Sequence, residues 1–135
     1  MHSQSLKTLL PHQGSALWLH HIDAHNASSI QGECLWGCLA DFGERPSVCL
    51  LFEAAAQLCA AHGALYGNDT RIQGAYIGKV SKLTVHYDPV ERCSPIKIQA
   101  QQLSHSLAGA LYSFSLTSNQ QLLVDGTLLV VLVHA

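Results

Sequence analysis

SVCLLFEAAAQLCAAHGALY, residues 47–66, is rich in Ala and Leu and contains no proline, so it reads as the main helix of the chain. At 1.5 Å of rise per residue such a helix would be ~30 Å long. It is apolar nearly all round, and a helix without a wide polar face must be covered on most sides. The segment before it, Asp41–Pro46 (DFGERP), collects turn residues, Ser47 is placed to cap the helix N-terminus, and Gly67–Asp69 end it.

What covers the helix lies on both sides of it. Upstream, Ala16–Ile22 and Ser28–Trp36 read as strands separated by a turn cluster at Asp23–Asn26. Downstream, Ala75–Tyr87, Ile96–Leu103, Ala108–Thr117 and Gln121–Val133 are four β-type runs with turn residues between them. Strands, one helix, then several consecutive strands predict an α+β architecture in which an antiparallel sheet curls round the helix. The last run, Thr127–Val133 (TLLVVLV), lacks alternation, which predicts that both faces of that strand are covered. No repeat and no Pro/Gly/Ser linker divides the chain, so residues 1–135 are expected to form one domain.

Composition removes whole classes of function. Charged residues are 12% of the 135, about half the ~25% usual for soluble domains, and apolar residues are 48%. This excludes a disordered chain and implies a surface that is neutral or covered by a partner. Seven Lys+Arg against nine Asp+Glu, with no basic stripe, argue against a nucleic-acid partner. The longest apolar stretch, Val48–Ala61, is interrupted by Glu53 and Gln57, so no membrane span is expected. Met1–Leu10 lacks the features of an export signal, which predicts a mature cytoplasmic chain. Five cysteines, two of them (Cys49 and Cys59) in the helical stretch, suit reduced core thiols better than a disulfide framework.

Glu53 and Gln57 are the sharpest chemical feature. Four apart, they project a carboxyl and an amide from one face of an otherwise apolar helix. A carboxylate in such a place must be paired, hydrogen-bonded or protonated. It is either an active-site group or a structural one that caps a loop or pairs with Arg45 or Lys79. His62, nine positions on, falls on the opposite face, so a Glu53–His62 dyad within one chain is excluded. No histidine lies between His25 and His62. Asp41 is then the acid–base candidate in the preceding loop, with an exposed turn aspartate as the alternative. Cys34, Cys38 and Cys49 do not form a zinc pattern, and His20 and His21 point to opposite faces of a strand, so no metal is expected. No G-x-S-x-G motif and no glycine-rich phosphate loop is present.

Three pieces, LLPHQGSALWLHHI (Leu9–Ile22), LLFEAAAQLCAAHG (Leu50–Gly63) and LLVDGTLLVVL (Leu122–Leu132), together resemble the hotdog superfamily. More narrowly they resemble its 3-hydroxyacyl-acyl-carrier-protein dehydratases of the FabZ/FabA type, which share an L-P-H-R opening and an E-A-x-A-Q helix, and among these the small ApeP-type proteins of aryl-polyene biosynthesis. The likeness runs over almost the whole chain. It implies a hotdog fold, a dimer whose sheets join, and no cofactor. It places Gly126 inside a strand where the backbone nears the helix, rather than in an Asp125–Gly126 turn, and moves the turn to Ser118–Asn119.

The resemblance also implies roles and one departure. The family's helix carboxylate falls on Glu53 and its helix glutamine on Gln57. The family's loop histidine is missing, because Asp41-Phe42-Gly43 occupies the place of its His-Phe-Pro-Gly, and Ser47-Val48 replaces the glycine that opens its helix. Asp41 and Gly43 are therefore expected as supporting or substrate-binding residues. Dehydration of a 3-hydroxyacyl thioester needs a base, an acid and donors to the enolate oxygen. One carboxylate is half of that set. The expectation is a dehydratase subunit that completes its site with a partner hotdog subunit, homo- or hetero-oligomeric, and acts on an acyl carrier protein bearing a 4'-phosphopantetheine thioester. The alternatives are a hotdog thioesterase, in which the helix carboxylate activates water or attacks directly, and a non-catalytic partner subunit.

Overall fold

The computed structural model describes residues 17–67 and 72–134. Six antiparallel strands, β1 (Leu19–His25), β2 (Ser29–Cys34), β3 (Ile72–Val85), β4 (Ile96–His105), β5 (Gly109–Ser118) and β6 (Gln121–His134), form one sheet in the order β1-β2-β4-β5-β6-β3. The helix α1 (Phe52–Tyr66) lies on its inner face against β1, β2, β4, β5 and β6.

Alternation builds that inner face. Ile96, Ile98 and Ala100 of β4 are buried while Lys97, Gln99 and Gln101 between them are exposed. β5 adds Tyr112, Phe114 and Leu116, and β6 adds Leu128 and Val130. On α1, Ala54, Ala55, Leu58, Cys59 and Ala61 are at most 1% exposed. Its small alanines let the helix backbone settle close to the sheet. At Gly32 a Cβ would come within 2.9 Å of both the His21 carbonyl oxygen and Leu58 Cδ1, so the helix packs onto β2 where the side chain is missing. Burial of each core leucine such as Leu51, Leu58 or Leu128 contributes roughly 1.5–3 kcal/mol.

The helical stretch begins as expected but in two parts. The Ser47 side chain accepts the amide of Cys49 at 3.1 Å and caps a 3-10 turn, Val48–Leu51, which continues into α1. Together Val48–Tyr66 span 19 residues with a mean hydropathy of 1.5, longer than the apolar stretch read from the sequence and long and apolar enough to cross a membrane by length and composition alone. Glu53 and Gln57 do not shorten it, because helix length depends on backbone continuity. Here it is the core helix, with 56% of its most apolar window buried inside the fold.

Other boundaries also differ. β1 runs through Asp23 to His25, and the turn falls at Asn26, whose side chain accepts the amides of Ser28 and Ser29 at 2.9 Å. The β5–β6 turn lies one residue later than expected, at Asn119 and Gln120, with φ of 50° and 65°. Gly126 is inside β6, yet what crowds it is the Phe114 ring and the Ser81 carbonyl oxygen, both 3.1 Å from a Cβ placed there, and not the helix. Over Thr127–Val133 the described residues cover mainly one face of β6: Leu128 and Val130 are buried, whereas Leu129 and Val133 are 38% and 40% exposed. An unbroken apolar run does not reveal which of its side chains meets the helix.

Candidate active site on the central helix

Glu53 sits in the first turn of α1, where the amide dipoles favour a negative charge, and it is half-buried. Gln57, one turn on, is 1% exposed. Its Oε1 accepts the amide of Trp18 at 2.8 Å and that of Leu19 at 3.4 Å, and its Nε2 donates to Glu53 Oε1 at 3.3 Å. Backbone amides only donate, so the glutamine oxygen must face the strand and its NH2 group must face the carboxylate. The tie orients Glu53 from the chain leading into β1.

The loop candidates approach from the other side. A 3-10 turn, Trp36–Phe42, carries Asp41 near its end, exposed to solvent. Gly43 follows with φ of 103°, in the region that favours glycine. Between them, Phe42 sets its ring edge-on to Trp18 at 5.7 Å, and Trp18 is the residue whose amide Gln57 holds. Loop and helix site therefore meet at Trp18. The structural pairing proposed for Glu53 is not made by Arg45, whose guanidinium donates to Asp88 Oδ1 at 3.0 Å and to the Pro89 carbonyl at 2.8 Å.

His62 lies away from Glu53, fully buried. Its Nε2 is 2.9 Å from the Asn26 carbonyl and its Nδ1 2.8 Å from the Tyr112 hydroxyl. The carbonyl can only accept, so Nε2 carries a proton, and in the neutral ring Nδ1 accepts from Tyr112. Gln102 Nε2 donates to the same hydroxyl at 3.2 Å, and burial pushes the Tyr112 phenol up to about 12.

Two clusters escaped the sequence reading because their members are distant in the chain. His21 Nε2 lies 2.6 Å from Asp23 Oδ1 and 2.9 Å from Glu33 Oε2, and Lys97 Nζ donates to Glu33 Oε2 at 3.0 Å, which raises the Lys97 ammonium above its usual range. The positions 21 and 23 share a strand face by their spacing of two, but Glu33 and Lys97 join them only through the register of β1, β2 and β4. The ammonium supplies a cation to this acidic group. In the second cluster, Arg45 and Arg92 converge on Asp88, and Arg92 stacks over the Trp36 ring at 5.1 Å.

No family model matches the sequence, and a search of curated proteins finds no relative. Solved structures do match. The dehydratase heterocomplex ApeI:P of Xenorhabdus doucetiae is similar with a TM-score of 0.83 at 13% identity, over 96% of this chain and 91% of that one. This chain has the hotdog fold. Other hotdog proteins align as well: a virulence protein of Campylobacter jejuni (TM-score 0.68, 15% identity, 96% of this chain and 89% of that one). A hypothetical thioesterase of Streptococcus pneumoniae, solved with coenzyme A, gives a TM-score of 0.64 at 9% identity over 97% of this chain and 96% of that one. The hotdog architecture expected from the E-A-A-A-Q helix, Glu53–Gln57, is therefore present. The other motif of that expectation, the L-P-H opening at Leu9–His12, lies outside the described residues.

Proposed function

We propose that the chain is a single-domain, cytoplasmic subunit of a 3-hydroxyacyl-acyl-carrier-protein dehydratase, with Glu53 as its catalytic carboxylate and Gln57 as the residue that orients it. The observation that carries this reading is the amide relay from Trp18 through Gln57 to Glu53. A buried glutamine held by two backbone amides donates to a carboxylate that stays half open, a geometry suited to a group that must meet substrate. In this reading Glu53 takes or gives the proton at one end of the dehydration, and a partner hotdog subunit supplies the second proton-transfer group and the enolate donors. Asp41 and Gly43, joined to the site through Phe42 and Trp18, line the approach of the thioester.

Two further observations support a partner. Among the described residues β3 ends the sheet order, paired with β6 on one side, so its other edge is a place where a strand of a second subunit can add. The similar ApeI:P assembly is itself described as a dehydratase heterocomplex. The carrier in this reading is an acyl carrier protein with a 4'-phosphopantetheine thioester. Hydrolysis is the second reading. It is favoured by the thioesterases among the similar structures and by a helix carboxylate with no histidine in the loop before it.

The test is co-expression with candidate hotdog dehydratases, intact-mass measurement of the purified complex, and assay on 3-hydroxyacyl carrier protein. Formation of the 2-enoyl thioester only in the complex, and its loss with Glu53→Gln, is the expected result. Release of free carrier thiol by this chain alone would establish the hydrolytic reading instead. Unchanged turnover of the complex with Glu53→Gln would leave the chain a non-catalytic subunit.

A further inference from the structure

We infer that Asp88 is a positioning residue for the candidate site. Its carboxylate clamps residues 36–45 by both ends and so holds Asp41, Phe42 and Gly43 where a thioester approaches Glu53. The clamp stands on its own geometry, and its effect on turnover rests on the dehydratase reading.

The frame of the clamp is the connection from β3 to β4, residues 86–95, which is tied to the sheet at both of its ends. The amides of His86 and Tyr87 donate to the Leu123 carbonyl of β6 at 2.7 and 3.3 Å. At the other end Ser118 Oγ of β5 shares its proton between the carbonyls of Ser94 and Pro95, at 3.1 and 3.2 Å.

Residues 36–45 are fastened to this frame at two points. At the first, Trp36 Nε1 donates to the Ser94 carbonyl at 2.9 Å, and the Arg92 guanidinium lies over the indole at 5.1 Å. At the second, Arg45 Nη2 donates to the Pro89 carbonyl at 2.8 Å. Asp88 joins the two, because its Oδ1 accepts from Arg45 Nη2 at 3.0 Å and from Arg92 Nη2 at 2.9 Å. One carboxylate oxygen shared by two guanidiniums offsets the repulsion between cations that otherwise face each other. Arg92 has a side-chain exposure of only 13%, so solvent screens this group less than an ordinary surface pair.

Packing leaves the rest to these polar bonds. Leu39 is the buried residue of the turn Trp36–Phe42, and Phe42 meets Trp18 edge-on, but residues 40–45 are half-buried at no position before Pro46 and lie open to solvent. Their place is therefore set from the ends. Gln57 orients Glu53 from within α1, without the loop. Releasing the clamp thus leaves the carboxylate aimed and loosens the surface that receives the thioester, which is a change in KM more than in kcat.

The full chain is tested alone and in the reconstituted complex. In Asp88→Ala alone, amide hydrogen exchange of residues 37–44 should quicken at least ~10-fold while α1 and β4 keep the protection of the parent. Asp88→Asn, which keeps an oxygen acceptor without the charge, should give a smaller rise, and Asp88→Glu should restore part of the protection. In the complex, Asp88→Ala should raise KM for the 3-hydroxyacyl carrier protein about tenfold and change kcat less than about twofold. Unchanged exchange of residues 37–44 in Asp88→Ala would overturn the clamp. Exchange quickened equally in α1 and β4 would overturn it too, since that is loss of the whole fold. A faster loop with KM unmoved would remove the positioning role. A parent complex that forms no 2-enoyl thioester would refute the dehydratase reading instead, and exchange in the chain alone would still decide the clamp.

Discussion

Replacing Gln57 by methionine keeps the volume of the side chain and removes its acceptor and donors. The Trp18 amide, 2.8 Å from Gln57 Oε1, then loses a full hydrogen bond and the Leu19 amide, at 3.4 Å, a weak one. Leaving a buried donor without a partner costs ~1–3 kcal/mol. One full and one partial loss therefore amount to about 2–3 kcal/mol, reduced slightly by the more apolar side chain. At roughly 2.1 cal/mol/K per residue, unfolding 135 residues carries an entropy near 0.28 kcal/mol/K, so the melting temperature should fall by about 7–11 °C. Thermal unfolding of the full chain followed by circular dichroism reads this directly. The same variant in a reconstituted complex should lower kcat, because Glu53 loses the amide that orients it. A fall of less than ~2 °C would refute the reasoning, since it would mean that the amides before β1 are satisfied without Gln57.

Glu53→Gln should move the melting temperature by less than ~2 °C, because the group is half-buried on a helix surface, yet lower any thioester activity at least ~100-fold; steady-state assay beside thermal unfolding separates the two. Tyr112 ties stability to alkaline pH. Burial raises its phenol to about 12 from the ordinary 10.0 of a free tyrosine, so the unfolded chain releases this proton first and stability drops as pH climbs between those values. Melting curves across that window should flatten in Tyr112→Phe relative to the parent. Gly32→Ala should destabilise by roughly 1–3 kcal/mol, because the new methyl meets the His21 carbonyl oxygen, which is backbone and cannot swing aside; urea titration at constant m-value checks it.

Much of the site was legible because it rests on one helix. A spacing of four places Glu53 beside Gln57 whatever surrounds them, and nine positions turn His62 away. What Gln57 does with its oxygen was not legible, since its partners, the amides of Trp18 and Leu19, are some forty residues distant and offer no side-chain signal. The His21–Glu33–Lys97 group was hidden for a related reason: strand register brings it together. The apolar run around Glu53 and Gln57 proved longer than the sequence reading allowed, because two polar residues do not interrupt a helix, and it is the core helix of the fold.

Local chemistry alone determined that a long apolar helix follows a turn-rich loop, that strands surround it, and that a carboxyl and an amide share one of its faces. Those properties depend on backbone propensity and on a fixed helical repeat, both of which act over a few residues. Tertiary structure decided which face of β6 meets the helix, that Phe114 and Ser81 crowd Gly126, and that Gln57 hands its oxygen to the strand and its donors to Glu53. Each of these rests on contacts between segments far apart in sequence, whose geometry exists only once the sheet has closed over the helix.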